Sequence, residues 1–135
     1  MKLRSAARYL IAIGMALPAL SQAEETPVGS ATSPNGKVRV EILSLKKWEG
    51  DTLQLRWRVV NNDNTTYKMT PLNTRLVDMA ARREYTAGLV SNCYTEPDQP
   101  LICWAIFGRP PTNVKTMTVH FYEQLDLVPG IPISE

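Results

Sequence analysis

Between Leu53 and Val59 apolar and polar residues alternate without a break. Leu53, Leu55, Trp57 and Val59 fall on one side; Gln54, Arg56 and Arg58 fall on the other. A period of two is that of a half-buried strand, because a helix would scatter those four apolar residues around its surface. Asn61-Asn62-Asp63-Asn64 follow, residues that tolerate turn geometry and end the strand. Upstream, Val38, Val40 and Ile42 alternate with Arg39 and Glu41. The phase then slips at Leu43 and Leu45, which predicts a bulge or a change of sheet. Glu49-Gly50-Asp51 is the turn between the two strands.

The second half of the chain carries the same signal in shorter pieces. Tyr67 and Met69 mark a brief strand stopped by Pro71. Residues 72–79 and 84–90 read as two arms of a hairpin around Ala80-Ala81-Arg82-Arg83, whose weak turn chemistry leaves a helical turn open as the alternative. Residues 92–100 form a loop rich in Asn, Pro and Asp. Residues 101–107 are almost continuously apolar, the pattern of a central strand covered on both faces. Val114, Met117, Val119 and Phe121 oppose Thr116, Thr118 and His120. The tail, 128–133, is extended, and its prolines suit a sheet edge. About seven or eight short strands separated by turns, with no amphipathic helix, predict an all-β antiparallel sandwich over residues 37–135.

Residues 1–23 read differently. Lys2, Arg4 and Arg8 precede an uncharged apolar stretch, Tyr9 to Leu20, and Ser21-Gln22-Ala23 supplies small residues where a signal peptidase reads. A cleavable signal with cut after Ala23 is expected; a spanning helix needs about 20 apolar residues. Residues 24–36 are polar, with two prolines and two glycines, and are expected to be a flexible leader. Export changes the charge balance. The chain carries 15 Lys+Arg and 13 Asp+Glu; losing three basic residues leaves 12 against 13, a net charge of −1. That leaves no clustered basic surplus, so nucleic acid is not an expected partner. The expected product is soluble, monomeric, and periplasmic or secreted.

Cys93 and Cys103 are the two cysteines. An even pair in an oxidising compartment predicts a disulfide. Zinc would need about four ligands, and the chain has one His. The loop between the cysteines contains Tyr94, Glu96 and Asp98, and a loop closed at its base loses less entropy on binding.

Several stretches carry a resemblance. Trp104-Ala105-Ile106-Phe107, Pro110-Pro111-Thr112-Asn113-Val114, Met117-Thr118-Val119 and the tail from Pro129 to Ile133 are similar to the carboxy-terminal half of a group of exported bacterial domains. Val40 to Leu45, Leu53 to Asn62 and Leu76-Val77-Asp78 resemble the same group. The resemblance implies an immunoglobulin-like β-sandwich of secreted proteins, lipoproteins and some peptidoglycan-associated envelope proteins. It brings no catalytic residues with it. Unlike members of that group, this protein is expected to lack a lipid-anchor cysteine after the signal and an appended wall-binding module.

The chemistry is sparse. Catalysis needs groups that exchange protons near neutral pH and sit close together. His120 is the only His, on the polar face of its strand between Thr118 and Tyr122. With Met117 it offers imidazole and thioether, ligands that suit copper; Met117 also shares the core phase of Val119 and Phe121. Glu49 with Asp51 and Glu96 with Asp98 are carboxylate pairs of the kind glycosidases use, but both lie in turns. Arg56 and Arg58 form an outward row that is either an anion-binding surface or a salt-bridged solvent face. Trp57 is in core phase, whereas Trp48 and Tyr94 lie in or beside loops. The function this supports is a non-enzymatic binding module, with no cofactor, that offers the closed loop of Tyr94, Glu96 and Asp98 to a protein or glycan. Two alternatives are an inhibitor of a wall-degrading or host enzyme and a periplasmic copper carrier using Met117 and His120.

Overall fold

Residues 25–135 are described by the computed structural model; the expected signal, residues 1–23, and its cleavage site lie outside them. Among these residues ten strands run in chain order: β1 Gly29–Thr32, β2 Val38–Lys47, β3 Thr52–Asn61, β4 Tyr67–Lys68, β5 Arg75–Asp78, β6 Arg83–Val90, β7 Tyr94–Thr95, β8 Leu101–Gly108, β9 Thr116–His120 and β10 Val128–Pro132. Among the described residues a single 3₁₀ turn, Pro71–Asn73, precedes β5. Among the described residues no helix is long and apolar enough to cross a membrane.

Eight strands join in the order β1-β2-β3-β8-β6-β5-β9-β10, and β4 pairs separately with β7. All of these strand pairings are antiparallel. The sheet is bent nearly into a barrel. Ser134, just past β10, returns to β2: its N–H donates to the Leu45 carbonyl and its carbonyl accepts from the Lys47 N–H, both at 2.9 Å. On the other edge β1 lies against β10. A Cβ at Gly29 would stand 2.8 Å from Ile131 Cδ1 and Val128 Cγ1, so the missing side chain permits that approach.

The middle of the sheet turns a corner on β6. Its first half, Arg83 to Thr86, pairs with β5; its second half pairs with β8. Ala87 faces Phe107 and Leu89 faces Ile106, which leaves Gly88 as an extra residue at the change of partner. A bulge bends its strand and increases the twist, so it suits a corner. The slip anticipated from the sequence at Leu43 is also a bulge. Ile42 pairs with Trp57 and Ser44 with Arg56, leaving Leu43 unmatched.

Alternation fills the interior. Leu53, Leu55, Trp57 and Val59 of β3 are fully buried with Val40, Ile42, Leu76, Phe107, Val119 and Phe121. The Trp57 and Phe121 rings meet edge to face, 5.2 Å between centroids. The hairpin expected over 72–79 and 84–90 forms between residues 75–78 and 83–86, with Asp78 opposite Arg83 and Arg82 in the left-handed region (φ 56°) closing the turn, while Leu72 and Asn73 belong to the 3₁₀ turn.

Three expectations are corrected. The leader expected over 24–36 contains β1, which pairs along its whole length with β2. Gly-Ser-Ala-Thr shows no apolar alternation; the open edge of β2 makes it a strand, and Ala31 is its one buried residue. Residues 101–107 are not covered on both faces. Cys103, Ala105 and Phe107 point inward, while Ile102 is 36 % exposed and Trp104 and Ile106 are half-buried. The loop expected at 92–100 includes β7, fixed to β4.

The outward arginine row is salt-bridged. Arg58 Nε donates to Glu41 at 2.8 Å, and Arg39 reaches the same carboxylate at 3.0 Å. Arg56 pairs with Glu25 at 3.0 Å, and Arg58 also donates to the Glu25 carbonyl. Burial alone would raise the Glu41 carboxyl. The hydrogen bond and charge of Arg58, with Arg39, outweigh that and hold it below the usual carboxylate range.

Candidate functional site

The loop-bearing end of the sheet is organised around the disulfide. Cys93 and Cys103 are bonded, with their Cα atoms 5.7 Å apart. Neither is exposed, and Cys103 stands opposite Trp57 in the ladder between β3 and β8. The bond therefore belongs to the core and is not a surface clip. Met69 packs beside it, Sδ 3.9 Å from Cys93 Sγ, and the Met69 N–H donates to the Cys93 carbonyl.

Above the disulfide, β7 is held from a second direction. Tyr67 pairs with Thr95 and Lys68 with Tyr94. A third tie comes from Asn61, which is buried at the end of β3. Its side-chain amide donates to the carbonyls of Thr65 (2.9 Å) and Thr95 (2.8 Å) and accepts from the Asp63 N–H (3.0 Å). Its own carbonyl accepts from the Asp98 N–H. A buried amide with its polar atoms satisfied fixes the segments that it joins.

On this support Tyr94 is 57 % exposed, with Lys68 Nζ 5.9 Å from its ring centroid. Glu96 is exposed and accepts from the Thr66 hydroxyl. Asp98 is exposed in a left-handed turn (φ 59°). The three loop residues singled out from the sequence are therefore all accessible on one braced segment.

The same end carries a feature that sequence reasoning missed. Tyr122, Glu123 and Gln124 are three successive non-glycine residues in the left-handed region, at φ 67°, 44° and 60°. Such backbone is disfavoured by of order 1–2 kcal/mol per residue and persists only where surroundings impose it. Here Glu123 Oε1 accepts from the Thr70 N–H at 3.0 Å, and the Leu125 N–H donates to the Tyr122 carbonyl at 2.7 Å. The Tyr122 ring stacks on His120, with centroids 3.7 Å apart. The turn separates two open depressions. One, about 240 Å³, is lined by Asn35, Asp63, Tyr67, Glu123 and neighbours. The other, about 190 Å³, is lined by Asn73, Arg75 and Tyr122.

Tyr67 is half-buried and its hydroxyl has no hydrogen-bond partner among the described residues. Burial, and then the charge of Glu123, push its pKa up to about 12. A folded-state value above the ordinary 10.0 contributes stability that is complete below that pH and is lost as pH rises through about 12. Tyr67→Phe is expected to remove this alkaline loss while changing stability little near neutrality. Denaturant midpoints on either side of pH 10.0 check it; an unchanged alkaline drop would assign the loss to another group.

The remaining candidates are not brought together. Met117 points into the core, while His120 lies half-buried on the opposite face of β9. Among the described residues there is no group of three or more His, Cys, Asp or Glu side chains that could hold a metal ion. Trp48 is exposed with Lys46 over its ring at 5.8 Å. Asp51 lies 4.0 Å from Arg109.

Comparison of the chain with protein-family models, with curated proteins and with solved structures gives no match.

Proposed function

We propose that this protein is an exported, non-enzymatic binding module that presents Tyr94 and its braced loop to a protein or glycan partner. The observation that carries the reading is the exposure of Tyr94 on a segment tied down by a disulfide, a strand pair and Asn61. An exposed aromatic on a pre-ordered loop binds without the cost of ordering that loop, and tyrosine offers large contact area with few rotatable bonds. Lys68 beside the ring adds a cation for an anionic or carbonyl group on the partner.

Export is supported by the signal pattern at the amino terminus and by the disulfide, a bond that persists in oxidising compartments. We read the fold as an immunoglobulin-like sandwich drawn toward closure. The bulged corner in β6 and the packing of a cystine opposite a core tryptophan favour that reading.

The experiment is photocrosslinking from position 94 in cells, followed by mass spectrometry of the captured species. Tyr94→Ala should weaken binding of that partner by about tenfold or more, the range of an anchoring aromatic. Equal retention of the partner by Tyr94→Ala, measured by surface plasmon resonance, would remove the loop as the binding site.

A further inference from the structure

Half-buried guanidinium groups cost free energy unless a counter-ion offsets their lost hydration. Among the described residues four arginines are half-buried: Arg56, Arg58, Arg75 and Arg109. Arg56 has Glu25, Arg58 has Glu41 and Arg109 has Asp51. Among the described residues Arg75 alone of the four has no carboxylate within 4.0 Å.

It is nevertheless held in place. Its Nη1 donates to the carbonyls of Leu72 (3.0 Å), within the 3₁₀ turn, and Thr74 (3.2 Å), between that turn and β5. The group also lies 6.0 Å from the centroid of the Tyr122 ring. One nitrogen is thus engaged by backbone; among the described residues Nε and Nη2 donate to nothing. Those two N–H groups are the fork that takes a carboxylate in two parallel hydrogen bonds.

Arg75 lines the 190 Å³ depression with Asn73 and Tyr122. Asn73 is exposed and brings a side-chain amide. Tyr122 forms the wall, its ring held by the stack on His120, the register partner of Arg75 on β9. The left-handed turn at 122–124 is what puts the Tyr122 ring there. A fixed fork, an amide and an aromatic wall in one depression are the elements of an anion site with a flat apolar neighbour.

We propose that Arg75, Asn73 and Tyr122 form a receptor for a single carboxylate group, bound in two-point contact with Arg75, whose adjoining ring or chain lies on Tyr122. One guanidinium matches one negative charge; a phosphate dianion would call for a second cation, and among the described residues no other lysine or arginine lines the depression. A carboxylate of this kind ends a peptide or is borne by an acidic sugar. The site is separate from the Tyr94 loop and does not depend on it.

The test is a titration of the purified full-length protein followed by NMR. The probes are N-acetylphenylalanine and glucuronate, their uncharged counterparts N-acetylphenylalaninamide and glucose, and inorganic phosphate. Saturable movement of the Tyr122 and His120 resonances with one acid, and not with its uncharged counterpart, is expected, and which acid does so identifies the source. Arg75→Gln should weaken that binding about tenfold or more, consistent with loss of a charge-assisted pair, and Asn73→Ala should weaken it several-fold. Tyr94→Ala should leave it unchanged. The exposed Asn73 keeps the test valid if the arginine variant does not fold. The proposal is overturned if neither acid saturates, if the uncharged counterpart binds as well, if phosphate binds more tightly than both acids, or if the Arg75 and Asn73 variants bind as the parent does.

Discussion

Trp57→Ala is expected to cost about 3–5 kcal/mol of folding stability, the range for removing a fully buried large aromatic side chain. Trp57 has no exposure, meets Phe121 edge to face, and sits between the register partners Ile42 and Cys103 on the two neighbouring strands. Its loss would open space at the centre of the sheet. Trp57→Phe is expected to cost far less, below about 2 kcal/mol, for a reason specific to this site. The indole Nε1 is buried and has no acceptor among the described residues. Leaving water without a new partner costs that N–H about 1–3 kcal/mol, and phenylalanine avoids the penalty. The smaller ring then gives up some packing but no hydrogen bond. Urea unfolding followed by far-ultraviolet circular dichroism measures both variants, since Trp48 and Trp104 complicate fluorescence. A phenylalanine variant as unstable as the alanine variant would mean that the indole N–H is bonded in the native protein.

The same residue shows how far the sequence could be read. Period-two alternation located β3 and the inward rank of Trp57 because burial on one face imposes it directly. The phase slip at Leu43 located the bulge for the same reason. β1 was hidden because an edge strand of Gly-Ser-Ala-Thr owes its existence to the neighbour it pairs with, not to its own pattern. The continuous apolar run of β8 suggested two covered faces. Its outer face instead lies beside the arginine row, where Arg56 stands opposite Trp104 and Arg58 opposite Ile102.

The site divides in a similar way. Tyr94, Glu96 and Asp98 were legible because two cysteines bracket them. Asn61 was in plain view as the next inward position after Leu53, Leu55, Trp57 and Val59. That phase was the signal that it is buried and must satisfy its amide within the fold. Arg75 and Tyr122 carried no such signal. Arg75 is distinctive only through the carbonyls that hold it and the carboxylate it lacks. Tyr122 is distinctive only through a left-handed turn that Tyr-Glu-Gln does not favour. Long-range contacts create both properties, and a local pattern cannot express them.

Replacing both Cys93 and Cys103 with alanine is expected to lower stability by about 3 kcal/mol, the chain-entropy value for a bond spanning ten residues. The consequences should differ along the loop. Residues next to the cystine depend on it most: Met69 packs on Cys93, and the pairing of β4 with β7 begins one residue from it. Asn61 and its bonds to Thr95 and Asp98 do not pass through the disulfide. The double variant should therefore keep protection from hydrogen exchange at the Asp98 N–H while losing it at the Met69 N–H. Burial also sets the kinetics. Neither sulfur is exposed, so a thiolate reaches the bond only after the surrounding strands open. Reduction of the native protein by dithiothreitol should then be slow, level off as reductant is raised, and accelerate in urea. A rate that stays first order in reductant and indifferent to urea would place the bond within direct reach of solvent. The loop bearing Tyr94 would then rest on a surface clip, and its rigidity would have to come from Asn61 and the pairing of β4 with β7.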